Sequence, residues 1–183
     1  DDQEPRFVYN LCQNLPKGVD IHVLAPHAPN AKEQENWGKI KITRFPYFYP
    51  KYLQKLCYDG GIIPKLKSSW LARVQLPFFL FFLFIRLIKM TANNRFDLIH
   101  CHWLIPQGFF CALIKFFRGT PYLLTAHGGD VYSFKGIPVI PNMIKFALKR
   151  STFCTVNSQA TRNQVLKFSK NSSIKVVPMG VDL

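Results

Sequence analysis

The residues in this chain best suited to chemistry are His127-Gly128-Gly129-Asp130, which with Thr125-Ala126 before them follow the apolar run 121–124. That run reads as a short strand buried on both faces. A histidine leaving the carboxyl end of a buried strand stands where open α/β sheets bind their ligands. A neutral imidazole there can exchange one hydrogen bond with a sugar hydroxyl or a phosphate. Paired glycines let backbone amides approach an anion without Cβ interference, and Asp130 could orient a hydroxyl or hold the imidazole tautomer. Two other strand ends carry polar groups, His102-Trp103 after residues 97–101 and Asn157-Ser158 after residues 152–156. Ser158 opens a helix, which makes it first of all an N-cap, although a helix start also welcomes phosphate. His100 and His102 alternate along one strand, but no third or fourth ligand is evident, so no metal is expected. No phosphate loop, nucleophile elbow or H-E-x-x-H motif is present.

The elements that must position these groups follow from periodicity. Residues 5–15 carry Phe7, Val8, Leu11, Cys12 and Leu15 at helical spacing, with Pro16-Lys17-Gly18 as a stop. Residues 19–26 read as a strand. This opening is an αβ unit without its first strand, which is expected upstream. Residues 28–38 read as polar and irregular. Residues 39–45 alternate polar and apolar, as in a strand near a sheet edge. Residues 51–69 are ambiguous. Residues 76–90 read as a helix whose uninterrupted apolar run is too short to span a bilayer. It is either a core helix or one lying in a membrane interface. From residue 96 onward, strands at 97–101, 122–126, 152–156 and 174–177 alternate with helices at 107–117, 141–149 and 158–168. That order means βαβ units and a doubly wound, mostly parallel α/β sheet.

Composition limits the partners. The 183 residues carry 24 Lys+Arg against 10 Asp+Glu, a formal charge of +14. Such an excess suits a polyanionic partner, either an anionic membrane surface or phosphorylated substrates. The basic residues are dispersed and no nucleic-acid-binding motif is present, so nucleic acid is not expected. Five cysteines with no C-x-x-C pair suit reduced thiols in the cytoplasm, with Cys101, Cys111 and Cys154 in the core. The acidic start, Asp1-Asp2-Gln3-Glu4-Pro5, is not a signal peptide. Asn171-Ser172-Ser173 matches a glycosylation acceptor, but a cytoplasmic turn accounts for it.

Four stretches in order carry a resemblance: residues 97–103 (D-L-I-H-C-H-W), 125–130 (T-A-H-G-G-D), 155–158 (T-V-N-S) and 177–182 (V-P-M-G-V-D). Together they resemble the N-terminal, acceptor-side domain of retaining glycosyltransferases of family 4. The resemblance implies a Rossmann-like half of a GT-B fold over residues 1–177, with residues 178–183 opening the connection to a C-terminal donor-binding domain. Met179 stands where the family carries Asn. The family's first strand and its glycine-rich loop would precede Asp1, and the donor domain would follow Leu183.

In function, the resemblance implies transfer from a nucleotide-sugar to a glycan or lipid-linked acceptor, with retention and no obligatory metal or other cofactor. His127 is then the candidate catalytic group, Gly128 and Gly129 shape the cleft floor, and Asp130, His102, Trp103 and Ser158 line the substrate side. The chain alone is expected to be inactive. It would work in the cytoplasm, peripherally on the inner membrane face. The alternative is a non-catalytic, membrane-bound module that recruits a separate donor-binding subunit.

Overall fold

A computed structural model describes residues 7–58, 61–133, 136–169 and 174–179. The backbone divides into two compact units, residues 1–90 and residues 91–183.

In the first unit, helix α1 (Phe7–Gln13) is followed by strand β1 (Ile21–Pro26). Strand β2 (Gln34–Trp37) and strand β3 (Ile40–Phe45) complete a three-stranded sheet in the order β1-β3-β2. β3 runs parallel to β1 and antiparallel to β2. Its alternation does mark one buried face, since Ile40 and Ile42 are buried and Lys41 is exposed. It nevertheless occupies the middle of the sheet. The stretch expected to be irregular supplies the extra edge, because Gln34-Glu35-Asn36-Trp37 pairs through its backbone while showing no apolar period. Cys12, Ile21, Ile40 and Ile42 form a core against which Val8, Leu15 and Val23 pack.

Helix α2 (Ile62–Ser68) precedes the long helix α3 (Trp70–Asn93), which carries Pro77 inside it. The helix begins six residues earlier than the apolar run suggests. Its 24 residues are, against the expectation from that run, long and apolar enough to cross a membrane by length and composition alone. Ala72, Gln75, Phe79 and Leu83 are buried along α3, a spacing that defines a single stripe. Phe79 packs 5.7 Å from the Phe45 ring and meets Tyr47 edge-on at 5.5 Å, centroid to centroid. Gln75 accepts from the Lys55 amide at 3.2 Å and donates to the Leu53 carbonyl at 2.6 Å. The helix is therefore tied to residues 45–55 along one side. Trp70, Val74, Phe78 and Phe81 face out on the other.

The second unit is a four-stranded, all-parallel sheet ordered β4-β5-β6-β7. Its strands are β4 (Ile99–His102), β5 (Tyr122–Ala126), β6 (Phe153–Val156) and β7 (Ile174–Val176). Helix α4 (Phe109–Arg118) joins β4 to β5, and the short α5 (Gly129–Tyr132) and α6 (Ile140–Arg150) lie between β5 and β6. Helix α7 (Gln159–Val165) joins β6 to β7. The chain is thus α/β with a mostly parallel sheet. β5 is buried at Tyr122, Leu124, Thr125 and Ala126, as its continuous apolar run requires. Cys101, Cys111 and Cys154 are buried core thiols, and every cysteine in the structure is free. The Asn171-Ser172-Ser173 match, Pro5 and the Gly180-Val181-Asp182 end of the closing motif lie outside the described residues.

Candidate functional site

In the second unit the parallel registers bring chemistry from distant sequence to one sheet end. His102 closes β4 and pairs with Thr125 on β5, and Thr125 pairs with Thr155 on β6. His127 leaves β5 one residue past Ala126. Its ring nitrogen Nε2 lies 3.0 Å from His102 Nδ1. The Trp103 ring stands 5.4 Å from the His127 ring, tilted by 50°.

The backbone is shaped to hold these rings. Trp103 has φ +70°, a left-handed conformation that a bulky residue adopts only when its surroundings impose it. Its amide donates to the Thr125 carbonyl at 2.9 Å, and its carbonyl accepts from Gly108 at 3.2 Å. Gly108 is tightly placed, since a Cβ there would lie 2.8 Å from Leu124 Cδ2 and 3.3 Å from the Trp103 carbonyl oxygen. The segment Leu104–Gly108, extended at Ile105 (φ −137°, ψ 134°), then feeds α4.

Asp130 is 4% exposed and its carboxylate acts as a clamp. Oδ2 accepts from the Leu104 amide at 2.7 Å, and Oδ1 accepts from the His127 amide at 3.1 Å. Burial pushes the Asp130 carboxyl above its ordinary range, while the amides of Leu104, His127, Asp130 and Gly128 pull it back. Its contact with His127 is through the backbone of the loop. Gly128 has φ +93°, and a Cβ there would meet Thr161 Oγ1 at 3.4 Å. Gly129 has open space at its Cβ position, so its small size leaves room beside the loop.

Asn157 holds the loop from the β6 side, donating from Nδ2 to the His127 carbonyl at 3.1 Å. Its Oδ1 accepts from Thr161 Oγ1 at 2.8 Å. Ser158 caps α7, accepting from the Thr161 amide at 3.1 Å. The expected N-cap geometry is present, and it ties Ser158 to the support of the His127 loop.

A third histidine belongs to the group. The His100 ring stacks on His102 at 4.4 Å and 27°. Its Nε2 lies 2.8 Å from Thr125 Oγ1, which lies 2.7 Å from Thr155 Oγ1. All three imidazoles favour the neutral state. Burial lowers His100, burial pushes His127 down to about 4, and burial reinforced by its two neighbours pushes His102 to about 3. Among the described residues, no group of three His, Cys, Asp or Glu side chains is placed to hold a metal.

Strand ends and the family resemblance point to His102, Trp103, His127, Gly128, Gly129, Asp130 and Ser158. The structure brings these seven to one end of the sheet, Ser158 through Thr161 and Asn157. In the sequence Asn157 is marked only by its place at a strand end, and nothing there gives Thr125 or Thr155 a role. Those residues join the group through strand register, which no local pattern in the sequence reports. His100 drew notice only as half of a metal pair. A groove of about 800 Å3 also lies on the first unit, along Asn30, Gln34, Trp37 and Lys41, and none of the strand-end residues lines it.

The chain matches the Glycosyltransferase Family 4 model over residues 5–183. It is 34% identical over 88 residues to an uncharacterised glycosyltransferase of Methanocaldococcus jannaschii, a match spanning 48% of this chain and 25% of that relative. With the family model covering nearly every residue, and with a parallel sheet that carries its polar groups at one end, this chain belongs to glycosyltransferase family 4.

Proposed function

We propose that this chain forms the acceptor side of the cleft in a retaining glycosyltransferase. The enzyme transfers a sugar from a nucleotide-sugar to a glycan or lipid-linked acceptor. A donor-binding domain completes the cleft, and no metal or other cofactor takes part. The observation that carries the reading is the His127 ring, held beyond the ends of β4 and β5 by His102, Trp103, Asp130 and Asn157.

A neutral imidazole suits this work. It can accept from a hydroxyl of the reacting sugar, or donate to a phosphate oxygen as the nucleotide leaves. A cationic ring could only donate. The exposed part of the Trp103 indole offers an apolar plate for a sugar face. Asp130 keeps the loop in place without touching substrate, and Gly129 leaves room for it. In this role Ser158 acts through the α7 cap.

A second reading rests on α3. Its outer face exposes Trp70, Val74, Phe78 and Phe81, and the adjoining chain carries Lys65 and Lys67 on α2 and Arg73 on α3. Large apolar side chains with basic neighbours suit the interface of an anionic membrane. This supports a cytoplasmic protein working peripherally on a membrane. It fits an enzyme with a lipid-linked acceptor, and equally a membrane-bound module paired with a separate donor-binding subunit.

The catalytic reading is tested with the full-length protein and a panel of nucleotide-sugars. Product formation, or slow hydrolysis of one donor, is followed by proton NMR of the anomeric signal. A product that keeps the donor's anomeric configuration supports the reading. An inverted product contradicts retention, and an absence of turnover with every donor favours the binding module.

A further inference from the structure

His102 and His127 share one proton. Their facing nitrogens, Nδ1 of His102 and Nε2 of His127, lie 3.0 Å apart, so one donates and the other accepts. A neutral imidazole carries a single N–H. If His102 Nδ1 holds the shared proton, His127 must carry its own on Nδ1. If His127 Nε2 holds it, His127 Nδ1 is an acceptor. Either way the two tautomers are coupled: whether His127 donates or accepts at Nδ1 follows from which ring holds the shared proton.

The orientation of His102 has its own support. Thr155 Oγ1 donates to the Leu124 carbonyl at 3.3 Å, which uses its only proton. With the Thr155 proton on that carbonyl, Thr155 accepts from Thr125 Oγ1, and Thr125 accepts from His100 Nε2. The hydroxyl chain runs one way, towards a carbonyl that cannot donate. It fixes His100 as the Nε2–H tautomer and pins its ring. That pinned ring lies against His102, 4.4 Å away and 27° from parallel. Trp103, on its strained backbone, flanks His127.

We infer that His102 is a positioning residue for His127, fixing that ring's plane and tautomer through the Nδ1···Nε2 hydrogen bond, with His100 bracing His102. The inference rests on the proposed role of His127 in glycosyl transfer. It assigns to His102 a function other than lining the acceptor: it selects which single hydrogen bond His127 offers the reacting sugar or its phosphate. The energetic logic is preorganisation, because a ring free to flip or change tautomer must be ordered again at each turnover.

The test compares two amide substitutions of similar size. His102→Asn places an amide atom near the lost Nδ1, whereas His102→Gln places it near Nε2, away from His127. The full-length protein is labelled with 15N at histidine, and long-range proton–nitrogen correlation reads the tautomer of His127. The wild type should show one tautomer. His102→Asn should keep a single His127 tautomer and most of its turnover. His102→Gln should show averaged nitrogen shifts and a turnover lowered about 10-fold, with little change in KM. A single unchanged tautomer in His102→Gln overturns the inference, whatever the activity. A lost tautomer with undiminished turnover leaves His102 as the lock and contradicts the catalytic reading of His127 instead. If His102→Gln does not fold, His102→Leu replaces it with the same expected outcomes.

Discussion

At the scale of single residues, the site is a set of buried and half-buried polar groups that hold one another. Asp130 shows why this matters. Removing its carboxylate strands the Leu104 and His127 amides, which it receives at 2.7 and 3.1 Å. Leaving buried donors unpaired costs about 1–3 kcal/mol each, so Asp130→Ala should destabilise the protein by roughly 3 kcal/mol in urea unfolding. The histidines predict a pH dependence. His127 is held neutral down to about 4, against 6.5 for the free side chain. Between those values the unfolded chain binds the extra proton, so stability is full above about 6.5 and is lost as pH falls towards 4. The urea midpoint should follow that slope, and His127→Gln should reduce it, leaving the part carried by His100 and His102. His127 and Asp130 were legible in the sequence because a polar cluster behind an apolar run is a local signal. The pairing of His102 with His127 was not, because it depends on two strands lying in register across 25 residues.

At the scale of elements, the strands of the second unit were legible because short β-prone stretches alternate with helical ones, although β4 begins two residues later than its pattern suggests. β5 begins and ends where its pattern does. β2 was illegible for the opposite reason: all four of its residues can face solvent or an edge, and its place comes from backbone pairing to β3. α3 shows how composition conceals organisation. Phenylalanines on every side hide the stripe that packs, and only Phe45, Tyr47 and the two glutamines reveal it. Gln54 accepts from the Tyr47 amide at 3.0 Å while Gln75 bonds the chain at residues 53 and 55. The two faces should respond differently to truncation. Phe79→Ala removes a ring that is 2% exposed and should cost about 3–5 kcal/mol. Phe81→Ala removes one that is 59% exposed and should change stability by no more than about 0.5 kcal/mol. Equal losses at the two positions would mean that the outer face is packed.

At the scale of the whole molecule, charge and exposed apolar surface point the same way. A chain carrying +14 is drawn to anionic surfaces over roughly 8–10 Å at physiological salt, and an apolar helix face can then insert. Sedimentation with vesicles containing anionic lipid should show binding at low salt that weakens at high salt. Phe81→Ser and Trp70→Ser should each reduce it. Binding to neutral vesicles alone, or none to anionic ones at low salt, would contradict the membrane reading. The overall α/β plan was legible because strands and helices alternate regularly from residue 96 onward. The division into two compact units was not, since no linker or change of composition marks residue 90. The central claim is that the His127 ring takes part in sugar transfer, and its most direct test is the turnover of His127→Ala in the full-length enzyme, with folding checked by circular dichroism. A loss of about 100-fold or more in kcat with the fold intact is the expected result. Near-normal turnover in a folded His127→Ala protein would contradict it.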